Sequence, residues 1–393
     1  MPTLPPNFTL LQVVPELNAG GVERTTLDIS RAVVAAGGRS LVASQGGRLE
    51  DELAAGGGEL HRLPVASKNP LVIWANAGRL AGLIRREGVS LAHARSRAPA
   101  VSAWLACRRA GTPLVTTYHG VYNARSAAKR WYNGIMTRGA AVIANSEFTR
   151  RHVIAEHRVD PARVTAVARG TDLSRFDPAK VEPARVAALR AAWGLGPDEA
   201  RTVFLLAGRL TRWKGQLALI EAAARLKAAG RDDFVVVLMG DDQGRSAYRA
   251  EVEAAIAAGG LAGQVRLAAH GADMPAAWLA CDVATVPSLD PEAFGRTAVE
   301  PQIMGRPVIA SAHGAPCDTV VEGRTGWLAA PGDAEAWAAA MAAAIDLGPA
   351  GRAAMGAAAR ERACALYSLE AMIAGTFAVY RRVLADAASQ ARP

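Results

Sequence analysis

Cysteine is scarce and scattered: the 393-residue chain carries four, at 107, 281, 317 and 364, with no CxxC spacing and no clustering with histidine. That excludes a disulfide-stapled miniprotein and a cysteine-built metal centre, and fits a reducing, cytosolic setting. Long apolar runs are missing as well. The longest alanine-rich stretch, Ala336 to Ile345, falls well short of the roughly 18–20 apolar residues of a membrane-spanning helix. No cationic segment precedes the first apolar run, Leu10 to Val14, so no secretory signal is expected and a soluble, cytoplasmic protein is. Several common site motifs are absent too. The first apolar run is not followed by GxGxxG, and GxxxxGK[ST], DxD, HExxH and GxSxG do not occur. These absences argue against a dinucleotide oxidoreductase, a P-loop NTPase, metal-chelated nucleotide binding, a zinc protease and a serine hydrolase.

What is present is a core-forming composition, 51% hydrophobic against 21% charged. At roughly 100–200 residues per domain it predicts two to three domains. The charge is uneven. Residues 1–195 carry 26 Lys and Arg against 14 Asp and Glu, a net +12, whereas residues 196–393 carry 19 against 22, a net −3. A basic first half points to an anionic partner such as a membrane surface, a phosphorylated acceptor or a nucleic acid. Compositional drift explains the same excess, because the chain has 40 arginines and only 5 lysines; both readings stay open.

Short apolar runs alternate with longer amphipathic stretches. Leu10–Val14, Ser40–Ser44, Leu91–Ala94, Pro113–Tyr118 and Ala141–Ala144 read as buried parallel strands spaced by helices such as Glu23–Ala36. The pattern restarts with Thr202–Ala207, Phe234–Met239, Val265–Ala269, Val283–Val286 and Val308–Ser311. Two successive βα series predict two doubly wound, Rossmann-like α/β domains, with ligands beyond the strand C-termini. The Pro-containing stretch Asp177–Asp198 reads as the joint, and the amphipathic segment from Ser368 to about Ala388 must pack on something already built. The expected domains are 1–180, 198–367 and a helical 368–393 returning to the first.

Three constellations carry candidate chemistry. In Pro291–Glu300 two glutamates, Glu292 and Glu300, stand eight apart across Phe294-Gly295, one in a loop and one in the next helix. Carboxylates accept from vicinal hydroxyls, and the Gly295 amide near a helix N-terminus can meet a phosphate or sugar oxygen. In Gly208–Gly215, Arg209 and Lys214 sit between an apolar strand and a helix start. Cations there oppose the helix dipole, so a bound anion such as a leaving diphosphate explains them, without a metal. Drift towards arginine does not explain Lys214. The paired Gly20 and Gly21 after the first strand permit close backbone approach, so a phosphate or acceptor sugar can sit against their amides.

Together with Thr325-Gly326-Trp327-Leu328 and Pro331-Gly332-Asp333, these segments resemble family 4 glycosyltransferases of the GT-B fold, over nearly the whole chain from Val13 to Tyr380. The resemblance implies a retaining, metal-independent enzyme with two Rossmann-like domains facing across a cleft. It needs no cofactor beyond a UDP- or GDP-linked sugar donor. By that resemblance Arg209 and Lys214 clamp the donor diphosphate, Glu300 holds the ribose, Glu292 contacts the sugar, and the amides of Phe294 and Gly295 face sugar or phosphate. His119 matches the histidine that reaches the donor sugar, and Gly240 approaches the base. Asn145-Ser146-Glu147 resembles a strand-to-helix corner near the cleft. Arg169 stands where the family more often has asparagine, which leaves a ligand role for it open.

Retention without an evident nucleophile points to front-face attack, with the leaving phosphate taking the acceptor proton. The acceptor is expected to be a glycan or lipid-linked molecule, in lipopolysaccharide or other cell-envelope polysaccharide assembly. The basic-aromatic Lys129-Arg130-Trp131-Tyr132 suits a peripheral enzyme on anionic lipid, and His93 to Arg97 can meet a phosphorylated or acidic acceptor. Competing readings are a non-hydrolysing nucleotide-sugar epimerase and a non-catalytic sugar-binding protein. Nucleic-acid binding has no motif to support it.

Overall fold

The structure, a computed structural model, describes residues 3–18, 20–122, 124, 126–269 and 271–390. The chain divides into two compact units, Met1–Gly170 with Leu369–Pro393, and Thr171–Ser368. The stretch from Asp177 to Asp198 lies in the second unit, where it forms the helix Pro183–Ala192.

In the first unit seven parallel strands form one sheet: β1 (Thr9–Val13), β2 (Arg39–Ser44), β3 (Gly58–Arg62), β4 (Leu91–Ala94), β5 (Leu114–Tyr118), β6 (Ala141–Ala144) and β7 (Val164–Ala166). Their order is β3-β2-β1-β4-β5-β6-β7, so the direction of winding reverses between β1 and β4. Such a reversal opens a crevice at the C-terminal strand ends. One face is covered by helices that include Pro70–Arg86 and Arg97–Ala110, whose Leu80, Leu83, Ala103 and Ala106 pack on Leu11, Val13 and Leu41. The other is covered by Gly21–Ala35 and by the last helix, Leu369–Gln390. In that helix Ile373, Phe377 and Tyr380 recur at i, i+4 and i+7, forming one apolar stripe. The stripe packs on Phe8, Leu10, Ile29, Val115 and Ile143. Burying each large side chain contributes about 1.5–3 kcal/mol.

In the second unit six parallel strands follow: β8 (Thr202–Ala207), β9 (Phe234–Met239), β10 (Val265–Ala268), β11 (Val283–Val286), β12 (Val308–Ser311) and β13 (Gly326–Ala329). The order β10-β9-β8-β11-β12-β13 repeats the doubly wound plan, with the reversal between β8 and β11. Leu219 and Leu226 of the helix Gln216–Ala228 and Trp337 and Met341 of Ala334–Asp346 build its core on Phe204, Phe234 and Ile309. Asp333 caps the latter helix by accepting from the amides of Glu335 and Ala336.

Strands β3, β7 and β13 have no counterpart among the apolar runs of the sequence. All three are edge strands. An edge strand is covered on fewer sides, so it needs no continuous hydrophobic run.

Candidate active site

The loops that follow β8, β9, β11 and β12 lie side by side at the C-terminal edge of the second unit's sheet, astride its reversal point. Two glycines permit their approach. Gly215 has φ +76°, and a Cβ there would run into the carbonyl of Pro287. Gly240 passes so close to the carbonyl of Gly208 that a side chain would collide with it. The amide of Leu289 donates to the Trp213 carbonyl at 2.7 Å, tying the β8 loop to the β11 loop.

This closeness brings together two residues 78 positions apart. Lys214 Nζ lies 2.5 Å from Glu292 Oε1, and both side chains are only 13% exposed. Ser288 Oγ donates to the same carboxylate oxygen at 2.9 Å. Lys214 Nζ also stands 4.2 Å from the centre of the Trp213 ring. The backbone at Glu292 is fixed from the β12 side. Its carbonyl accepts from the Ala315 amide at 2.9 Å, and Gly314, at φ +69°, packs directly on its main chain. His313 Nε2 reaches the Ser288 carbonyl at 2.9 Å. The carboxylate is therefore preorganised, and the charge of Lys214, unfavourable at a helix start, is met inside the protein.

Glu300 sits one turn into the helix Arg296–Ile303, whose N-terminus has no side-chain cap and is preceded by Gly295 at φ +77°. Only 4% of Glu300 is exposed. Its Oε1 accepts from Arg296 Nε at 2.9 Å, and its Oε2 from Trp278 Nε1 at 3.4 Å. The Phe294 ring is buried edge-on against Tyr367, 6.0 Å between centres, so only its main chain remains for a ligand. Arg209 is exposed and makes no ion pair among the described residues, whereas neighbouring Arg212 is held by Glu251. The unit thus offers a free guanidinium, an ammonium on a buried carboxylate and a second buried carboxylate, a set suited to a diphosphate beside sugar hydroxyls.

The first unit gathers its own set at the same edge of its sheet. Gly20 and Gly21 open the helix Gly21–Ala35 after β1; Ala19 of that loop lies outside the described residues. The Arg169 guanidinium, after β7, occupies the space where a Cβ on Gly21 would be. Its Nη2 stands 3.4 Å from Nδ1 of His119, which follows β5. Burial, then the charges of Arg169 and Arg95, hold the His119 imidazole well below its usual pKa, so the ring is neutral at pH 7. Asn145 donates to the His119 carbonyl at 3.0 Å, which fixes this corner.

The expectation that His93 to Arg97 meets a phosphorylated or acidic acceptor is corrected for His93 and Arg95 by burial. His93 is a core residue bonded to Tyr380 OH and Thr117 Oγ1, each at 2.6 Å. Arg95 is 2% exposed and donates from Nε to Gln12 Oε1 at 2.7 Å. Arg97 lies over the Tyr122 ring at 4.0 Å and donates to Asn133. By contrast Trp131, in the helix Ala127–Asn133, is 72% exposed beside a cavity of about 720 Å³ lined by Arg130, Arg138 and Arg158. Sequence reasoning gave no role to Ser288, Trp278 or His313; Ser288 meets Glu292 four residues on, whereas Trp278 and His313 reach partners 22 and 25 positions away.

The family model Glycosyltransferase Family 4 matches residues 19–175, and Glycosyl transferases group 1 matches residues 190–362. A D-inositol 3-phosphate glycosyltransferase from Salinispora tropica is 33% identical over 333 residues, covering 78% of this chain and 68% of that protein. The crystal structure of a glycosyltransferase from Rickettsia africae superposes with a TM-score of 0.87 at 32% identity, over 96% of this chain and 99% of the other. Anabaena HepE in complex with UDP superposes with a TM-score of 0.80 at 22% identity, over 96% and 100%.

Proposed function

Since the chain belongs to the family 4 glycosyltransferases and has the GT-B fold, we propose that it moves a sugar from a nucleotide-diphosphate sugar to a glycan or lipid-linked acceptor with retention. The observation that carries this reading is the Lys214–Glu292 pair at the reversal point of the second unit, with Arg209 free beside it and Glu300 buried nearby. The donor diphosphate draws Lys214 away from Glu292 and takes a second cation from Arg209. Glu292, held by Ser288, then accepts from hydroxyls of the sugar, and Glu300 from those of the ribose. The anomeric C–O bond to the diphosphate breaks while the acceptor oxygen bonds the same face of that carbon. The acceptor proton passes to the departing phosphate oxygen. Arg209 and Lys214 stabilise the charge that develops on the diphosphate, without a metal.

Two finer features belong to the same reading. The exposed Trp131 on a unit with net charge +12 supports docking on an anionic inner membrane surface, in the service of cell-envelope polysaccharide or lipopolysaccharide assembly. A cyclitol phosphate as acceptor is a second reading, favoured by the names of relatives 30–33% identical to the chain. No helix among the described residues is long and apolar enough to cross a membrane.

The test is calorimetric titration with UDP, GDP and their glucose and mannose conjugates, with and without Mg²⁺. Metal-independent binding of one nucleotide, weakened at least tenfold in both Glu300→Ala and Lys214→Ala, is expected. Failure of every nucleotide to bind overturns the donor assignment and leaves a sugar-binding protein as the better reading.

A further inference from the structure

Among the described residues Glu300 is the only buried acidic residue, and two features of its helix run against helix chemistry. Arg296 places a cation at the first helical position, where the positive end of the dipole disfavours it. Pro301, directly after Glu300, lies inside the helix and offers no amide to the Thr297 carbonyl. Both features meet at Glu300. Arg296 stands one turn before it and aims both Nε and Nη2 at a single oxygen, Oε1, at 2.9 and 2.8 Å. The Arg296 side chain is 57% exposed and that of Glu300 only 5%, so the pair reaches from solvent into the site. The other oxygen, Oε2, has only the Trp278 indole N–H, 3.4 Å away. Trp278 is itself buried, and its carbonyl accepts from Arg306 Nε at 3.2 Å, so the indole is fixed in place.

Without Arg296 the carboxylate would keep one long, neutral hydrogen bond, too little to hold a buried charge in one orientation. An i, i+4 ion pair on a solvated helix face does no more than stitch the helix. Here Oε1 spends its acceptor capacity on the cation, which leaves Oε2 as the oxygen most open to ligand hydroxyls. We infer that Arg296 is a positioning residue for the donor's ribose: by engaging Oε1 with two N–H groups it turns Oε2 of Glu300 to the ribose hydroxyls, and so sets the preference for a ribonucleotide over a deoxyribonucleotide. The inference rests on the assignment of Glu300 to the ribose. A charge acting at a distance favours ribo- and deoxyribonucleotides alike, because their diphosphates are the same; a positioning role shows only in the ratio of their affinities.

The experiment is calorimetric titration of the full chain with UDP, 2′-deoxy-UDP and 3′-deoxy-UDP, and with their guanine counterparts. The parent is expected to bind the ribonucleotide about tenfold or more tighter than at least one deoxy form, the loss that follows a missing bond to a charged group. In Arg296→Leu that ratio is expected to fall to about threefold or less. Arg296→Lys keeps the charge without the paired N–H groups; it is expected to fall between, and it preserves the test if Arg296→Leu does not fold. Arg212→Leu removes a cation that pairs with Glu251 rather than Glu300, and is expected to keep the parental ratio. Glu300→Ala sets the floor. An unchanged ratio in Arg296→Leu overturns the proposal and leaves the donor site standing: with all affinities lowered alike Arg296 is a remote charge only, and with none lowered it plays no part in binding. A parent that binds nucleotide without preferring ribose, or a Glu300→Ala variant that keeps the preference, removes Glu300 from the ribose and overturns both. Failure of every nucleotide to bind overturns the donor assignment itself, and the proposal with it.

Discussion

At the residue scale the decisive contact is between Lys214 and Glu292. Removing one member of a largely buried pair leaves an uncompensated charge, at a cost of about 3–5 kcal/mol, whereas replacing both by apolar groups is often neutral. Lys214→Ala is therefore expected to lower both stability and turnover. The double variant Lys214→Met/Glu292→Met is expected to regain most of the stability and none of the activity. Urea denaturation beside a donor-turnover assay checks this, and a double variant with restored activity would refute a chemical role for the pair. The buried histidines set an acid limit. His93 is held well below its ordinary pKa, chiefly by burial. Its folded pKa is lower than its unfolded one, so the stability it lends is complete above about pH 6.5 and drains away as the pH falls. Each such histidine contributes a slope of at most about 1.4 kcal/mol per pH unit. Asp28 acts with the opposite sign: its carboxyl, raised to about 6, favours the folded state increasingly as pH falls through that value. Denaturation series from pH 7.5 to 5 are expected to show acid destabilisation that is shallower in His93→Gln and steeper in Asp28→Asn.

At the scale of elements, the interior strands could be read from their sequence because burial on both faces requires an apolar run. Phe234–Met239 and Ala141–Ala144 are placed to the residue. The edge strand Gly58–Arg62 carries glutamate, histidine and arginine, and no pattern of burial betrays it. The site divides in the same way. Glu292, Glu300, Arg209 and Lys214 stand in local motifs and were legible, but their arrangement depends on loop contacts such as Leu289 with Trp213, which no local pattern encodes. The last helix shows an apolar stripe in sequence, whereas its bond from Tyr380 to His93 spans 287 positions. Loop packing is also where a small change should act most selectively. Gly314 has a backbone conformation disfavoured for other residues, and a Cβ there would press on the main chain of Glu292. Gly314→Ala is expected to cost about 1–2 kcal/mol in stability, and to lower kcat tenfold or more by shifting the carboxylate, because a displacement near 1 Å is worth about 10²-fold. A variant with reduced stability and parental kcat would make Gly314 a folding residue only.

For the whole molecule, the charge asymmetry follows the structural division. The unit made of Met1–Gly170 and Leu369–Pro393 carries 25 Lys and Arg against 13 Asp and Glu, a net +12, and Thr171–Ser368 carries 20 against 23, a net −3. Long-range attraction for anions therefore belongs to the first unit, while the donor binding proposed for the second rests on a few placed groups rather than on net charge. Hydrogen exchange separates these roles. A ligand that binds only the native state at about 100 times its dissociation constant adds roughly 2.7 kcal/mol, which slows globally limited exchange about 100-fold. A UDP-linked donor is expected to protect amides around 208–215 and 288–300 in the parent protein and to lose that protection in Lys214→Ala. If the nucleotide instead protects the loop at 20–24 and leaves 288–300 unchanged, donor and acceptor have been assigned to the wrong units. The net charge of the first unit would then serve the diphosphate itself.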